Sequence, residues 1–179
     1  MAEPAVHDLV KAELGVEVVW RAFELRPEPV PTLDPKGDYL QRVWGNSVYP
    51  LAESMGIAMK LPPLQPRSRP AHESAQWARL HGHFDDYNAA IFRAFFERGE
   101  DIGDIEILAS LAMKLDLPGD SLRHALESGE FQKSVLEDER LAQTLGVSGV
   151  PAFVANRRVA LSGVQSVANL KKLVEHVRA

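Results

Sequence analysis

The most specific chemical signal in this chain is a proline placed to open a strand, in the run Gly146-Val147-Ser148-Gly149-Val150-Pro151-Ala152-Phe153-Val154. A proline at the first residue of a strand, after Gly149 and Val150, suits a tight turn that can hold a cis X-Pro bond. Such a turn offers backbone groups to a ligand rather than a reactive side chain. Other residues with chemical potential lack the required pattern. His81 and His83, with His72 and Asp85, could donate to a metal. Two histidines at that spacing on a helix end do not face one another well, and closed zinc sites use four ligands, so no metal site is expected. Ser148, Ser162 and Ser166, taken with His72 or His124, lack the nucleophile-elbow pattern of serine hydrolases. Glu137-Asp138-Glu139 reads as a solvated helix face. The 179 residues contain no cysteine. Disulfide exchange proceeds by thiolate attack, so this chain supplies no nucleophile for it and no catalytic residue is assigned.

The elements that would position the turn can be read from composition and periodicity. A chain of 179 residues suits one domain, or one domain with a sizeable insertion. Its 45% hydrophobic and 25% charged residues describe an ordinary globular protein. A net charge of -5 argues against a nucleic-acid partner, which needs a surplus of Lys and Arg on some face. The densest basic cluster, Arg67, Arg69 and Arg79, reads as solvated surface. No apolar run approaches the roughly 18 residues that suggest a membrane span, and Met1-Ala2-Glu3-Pro4 lacks the features of a secretory signal. A cytoplasmic protein is expected, and the absence of disulfides is compatible with that.

Along the chain, Glu3 to Leu14 carries a helical stripe (Ala5, Val6, Leu9, Val10, Leu14) that stops at Gly15. Val16 to Phe23 mixes β-branched and aromatic residues with polar ones and predicts a largely buried strand. Pro27, Pro29, Pro31 and Pro35 then exclude regular structure over residues 25–35. A helix is expected from Lys36 to about Met55, with Gly45 and Pro50 as breaks or kinks. Leu61 to Pro70 reads as an extended connection, Pro70 suits the first turn of the next helix, and Ala71, Ala75 and Ala78 make a narrow stripe for close packing. Phe84 to Arg98 predicts a strongly apolar helix, and Asp104 and Asp120 are placed as N-caps of two more. A further helix runs from Phe131 to Leu145, ended by Gly146. Ala152-Phe153-Val154-Ala155 and Val159-Ala160-Leu161-Ser162 predict a hairpin around Asn156-Arg157-Arg158, and Val167, Leu170, Val174 and Val177 predict a last helix.

The Gly149-Val150-Pro151 turn, followed by strand, turn, strand, Gly163 and helix, resembles the cis-proline loop before the third strand of thioredoxin-like proteins. Within that superfamily the chain resembles the DsbA-like branch. That branch includes the FrnE-type dithiol-disulfide oxidoreductases and isomerases, the kappa-class glutathione transferases and the 2-hydroxychromene-2-carboxylate isomerases. Val16 to Phe23 with Glu24-Leu25-Arg26-Pro27 resembles the second strand and its exit. Ser68 to Gly82, with Ala71-His72, resembles the first inserted helices. Residues 95–102 and Leu108 to Leu115 resemble the middle of the insertion.

The resemblance implies an α/β, thioredoxin-like fold with an all-helical insertion. Residues 1–35 and 146–179 would form the thioredoxin-like part and residues 36–145 the insertion. It implies a disulfide oxidoreductase or isomerase homologue acting on a thiol or disulfide protein or small-molecule substrate, with no cofactor. Gly149, Val150 and Pro151 would hold substrate, and His72 would border the groove. The alternatives are a glutathione-dependent isomerase or transferase and a non-catalytic groove-binding module. Relatives begin with a strand and a Cys-x-x-Cys, or a single Ser, at the start of the first helix, whereas this chain begins inside that helix. The first strand is absent, and Met1 reads as an internal methionine of a longer native protein. In the family that strand lies mid-sheet, so these residues alone are expected to be marginally stable, or to fill the gap as a homodimer or by strand exchange.

Overall fold

The computed structural model describes residues 1–13 and 15–178. They form two compact units, one of Arg26–Asp138 and one of Met1–Leu25 with Glu139–Ala179. Leu14, the expected end of the first helical stripe, lies outside the described residues.

The unit Arg26–Asp138 is helical. Its proline-rich entry has carbonyls that no ladder serves, and Arg67 serves two of them: its Nη1 donates to the carbonyls of Arg26 and Val30, each at 2.6 Å. The expectation that Arg67 is merely solvated is therefore corrected. An irregular loop leaves acceptors without partners, and a guanidinium fork can satisfy several at once. Helix α2 (Asp38–Val43) continues through a π-helical segment, Trp44–Val48, into α3 (Tyr49–Ser54). Gly45 and Pro50 were expected to break this run. Gly45 sits inside the widened π turns, and Pro50 falls in the first turn of α3. Helix α4 (Arg69–Leu80) has Pro70 in its first turn and buries Ala71, Ala75 and Ala78. Helix α5 (Phe84–Arg93) runs into a second π-helical segment, Ala94–Arg98, which Gly99 ends in the left-handed region.

Helix α6 (Ile105–Met113) is capped by Asp104, whose Oδ1 accepts the Glu106 N–H at 2.8 Å. In α7 (Gly119–Ser128) Pro118 occupies the N-cap position, and Asp120, expected there, lies two residues further on, within the first turn, and pairs with Arg123. An acidic side chain in the first turn is still favoured by the helix dipole, so the residue type marks the helix start without marking the cap. Helix α8 (Gln132–Thr144) contributes its residues up to Asp138 to this unit, and Asp138 is buried and accepts from Gln76, which corrects the reading of Glu137-Asp138-Glu139 as a solvated face. Tyr87, Leu108 and Leu122 are fully buried in the core shared by α4 to α7. The Tyr87 hydroxyl donates to the Leu108 carbonyl at 2.9 Å, which satisfies a polar atom that burial would otherwise penalise.

The other unit contains α1 (Glu3–Ala12), the strands β1 (Ala152–Ala155) and β2 (Val159–Ser162), and α9 (Val167–Arg178). The strands pair antiparallel with Ala152 opposite Ser162 and Ala155 opposite Val159. Asn156 and Arg157 take positive φ in the turn, a conformation Asn tolerates. Val6 and Leu9 of α1 pack on Leu170 of α9, with Val16, Trp20, Phe153 and Val174 around them. Glu13 carries ion pairs to Lys171 and Arg178 at 3.3 and 3.4 Å.

Val16 to Phe23 was expected to be a strand, and the structure corrects this. No strand is assigned there, and the sheet among the described residues has two strands, β1 and β2. Val16 and Trp20 pack inward as a strand's would, while Val18 and Val19 stand 36% and 49% exposed. Strand propensity describes how side chains fit a pleated surface; a ladder also needs a neighbouring backbone. Among the described residues the architecture is rich in helix, with a small two-stranded sheet.

Candidate functional site

The Gly149-Val150-Pro151 turn is positioned from both sides. Upstream, α8 ends in a two-bond left-handed cap: the Val147 N–H donates to the Ala142 carbonyl at 2.9 Å, and the Gly146 N–H to that of Gln143 at 3.0 Å. Gly146 has φ +70°, which its missing Cβ permits without cost. Downstream, β1 is registered on β2, and the Gly163 N–H donates to the Pro151 carbonyl at 2.8 Å, closing the open end of the hairpin. The Gln165 amide nitrogen donates to the Ser162 carbonyl at 2.7 Å, supporting the same end. Between these anchors the Val150–Pro151 peptide bond is cis.

Chemically, the turn is a backbone site. Pro151 has no amide hydrogen, and its carbonyl is already used by Gly163. Val150 is 48% exposed, and a Cβ built on Gly149 would meet no atom within 4 Å. The turn therefore leaves Val150 and the space around Gly149 open. The turn contains no nucleophile, acid or base.

The other residues singled out by sequence have definite local roles. His72 stands half-buried in the first turn of α4, its N–H donating to the Ser68 carbonyl at 3.0 Å. It belongs to the helical unit, whereas Gly149, Val150 and Pro151 share one turn of the other unit. His81 packs on the Trp77 ring at 4.1 Å between centroids, with Nδ1 2.9 Å from the Trp77 carbonyl. His83 precedes α5 and is exposed. Ser166 has a capping role, its hydroxyl accepting the Asn169 N–H at 3.2 Å at the start of α9. Arg79 lies over the Phe84 ring at 4.3 Å, a cation–π contact, rather than projecting only into solvent. The perturbed tyrosine, Tyr87, belongs to the core: burial drives its phenol far above its ordinary pKa, partly offset by its hydrogen bond with Ser74. Among the described residues no helix is long and apolar enough to cross a membrane.

Sequence reasoning missed the Arg67 clamp and the Glu13 ion pairs. The proline run at 27–35 was an available signal for the clamp, because it guarantees carbonyls without ladder partners. The Glu13 pairs join residues more than 150 positions apart, and no local pattern announces them.

Residues 1–175 match the family model described as a DSBA-like thioredoxin domain. The Bacillus subtilis (strain 168) protein YwbO is 34% identical over 158 residues, covering 86% of this chain and 78% of that protein. Among solved structures, a probable DsbA oxidoreductase from Streptomyces coelicolor superposes with a TM-score of 0.78 at 24% identity, covering 99% of this chain and 83% of the other. A structure from Nitrosomonas europaea gives 0.72 at 21% identity, covering 97% and 87%.

Proposed function

This chain belongs to the DSBA-like thioredoxin domain family, and from that premise we propose that it is a FrnE-like homologue of the thiol-disulfide oxidoreductases and isomerases that binds substrate without itself exchanging disulfides. The observation that carries the reading is the anchored turn at Gly149-Val150-Pro151, which leaves Val150 exposed beside β1. In disulfide exchange a thiolate attacks one sulfur of the substrate, a mixed disulfide forms, and a second thiol resolves it. Every sulfur-centred step in that sequence needs a cysteine, and these residues contain none. What they can contribute is the holding of an extended thiol or disulfide substrate by backbone pairing at Val150, with Gly149 leaving room for the approach. The ligand would then be selected by shape and extension more than by charge.

One experiment has two readouts. Reduction of insulin by dithiothreitol in the presence of this chain is expected to proceed at the uncatalysed rate; acceleration would overturn the absence of catalysis. Titration with an unfolded, disulfide-containing peptide, followed by amide NMR, is expected to shift Gly149, Val150 and the β1 amides together. Saturating peptide that leaves those signals in place would overturn the binding role.

A further inference from the structure

The face between α5 and α6 collects positive charge around an apolar hollow. The cavity, of about 340 Å3, is lined by Ala90 and Arg93 of α5, Arg98 of the π-helical segment that follows, Leu111 of α6, and Lys114 and Leu115 just beyond it. Its base is aliphatic and its margin carries three cations. None of the six lining residues is acidic, although Glu97 and Glu100 stand beside Arg98.

The cations are not all in the same state. Arg98 is committed to Glu100 through two bonds of 2.8 and 3.2 Å, and Glu97 lies near it. Glu100 also feels Lys114. Arg93 and Lys114 make no ion pair among the described residues and are exposed at the margin. A second cavity, of about 360 Å3, shows the contrast: Arg79 and Lys133 stand with Glu130 and Glu137 there, so its charges balance and select no ligand class.

We propose that the hollow bounded by Arg93, Arg98 and Lys114 is a binding site for an amphipathic monocarboxylate, with the carboxylate between Arg93 and Lys114 and the aliphatic arm on Ala90, Leu111 and Leu115. Charge complementarity sets the head group. A guanidinium and an ammonium together offer charge-assisted donors to both carboxylate oxygens. The aliphatic base sets the arm, since burying methylene groups contributes roughly 0.8 kcal/mol each. The volume lies at the lower end of the ~300–1,000 Å3 usual for small-ligand pockets, which fits a medium-length chain rather than a long lipid. This site lies wholly in the helical unit, and the turn at Val150 belongs to the other.

The test uses octanoate, octanol and acetate as probes on the whole chain, read by amide NMR. Octanoate is expected to shift residues 90–98 and 111–115 saturably, at least tenfold more tightly than either acetate, which lacks the arm, or octanol, which lacks the charge. The double substitution Arg93→Ala with Lys114→Ala should weaken octanoate tenfold or more. Both residues are exposed and neither makes an ion pair among the described residues, so the double variant should stay folded, and circular dichroism checks that. Arg93→Lys should restore part of the loss. The proposal is overturned if octanoate shifts nothing in those two stretches, if the shifts scatter over the chain, if acetate or octanol binds equally well, or if the folded double variant binds octanoate as tightly as the parent.

Discussion

The helical unit and the mixed unit achieve compactness by different means. In the helical unit, large side chains such as Tyr87, Leu108 and Leu122 are removed completely from water, and Gly99, Gly103 and Gly119 are pressed against neighbours although Gly45, Gly56 and Gly82 face open space. A Cβ on Gly99 would fall 2.7 Å from Pro63, and one on Gly119 would fall 2.9 Å from the Ala109 carbonyl. In the mixed unit the buried hydrophobic cluster is Val6, Leu9 and Leu170, and Gly15, Gly146, Gly149 and Gly163 face open space. Interiors packed to crystal density transmit any change of volume, whereas open positions absorb it. The lesson is that the unit carrying the candidate turn is also the one with least packing to hold it, so its anchors are hydrogen bonds and caps.

The largest effect that would break this comparison comes from core truncation. Leu108→Ala should cost about 2–5 kcal/mol, because a fully enclosed cavity cannot collapse. Leu170→Ala, in a cluster bordered by half-buried neighbours, should fall near the lower end of that series, roughly 2 kcal/mol. Native-state hydrogen exchange separates the two. Leu108→Ala should lower protection over α4 to α7, and Leu170→Ala over α1, the hairpin and α9. Equal costs would mean that the small cluster closes as tightly as the large one.

The glycine contrast gives a smaller and sharper test. Gly119→Ala must displace Met113 and the Ala109 carbonyl, and overpacking of this kind costs about 1–3 kcal/mol. Gly149→Ala meets nothing within 4 Å and should leave stability within about 0.5 kcal/mol of the parent. Chemical denaturation of the two variants decides the matter. A large loss at Gly149 would show that the turn is held by packing as well as by its anchors.

The same division governs what the sequence disclosed. The hairpin was legible to the residue, because period-two alternation and an Asn turn are local signals, and so was the Asp104 cap. Pro151 at the head of a strand marked the turn for the same reason. Val16 to Phe23 was misread because a ladder depends on a second backbone that no local pattern reveals. Asp120 was misread as a cap because helix starts favour acidic residues over a whole turn, and Pro118 pre-empted the position. The Arg67 clamp and the charged hollow at Arg93, Arg98 and Lys114 depend on which helices become neighbours. Periodicity identifies the buried face of each helix but not the helix it will face.

The smallest effect concerns charge at the margin of the helical unit. Arg98 holds the Glu100 carboxyl below its ordinary pKa of 4.5. A carboxyl with a depressed folded-state pKa contributes stability that is present above 4.5 and is lost as pH falls through the lower folded value. The stability difference between parent and Glu100→Gln should therefore be present at neutral pH and fade on acidification below 4.5. Because Arg98 is well exposed, solvent and salt screen the pair, and the difference should stay below about 1 kcal/mol. Melting both proteins at several pH values, in low and high salt, reads it. A difference that survives full protonation would have to come from lost packing rather than from the ion pair, and the margin of the hollow would then count among the tightly packed parts of the unit.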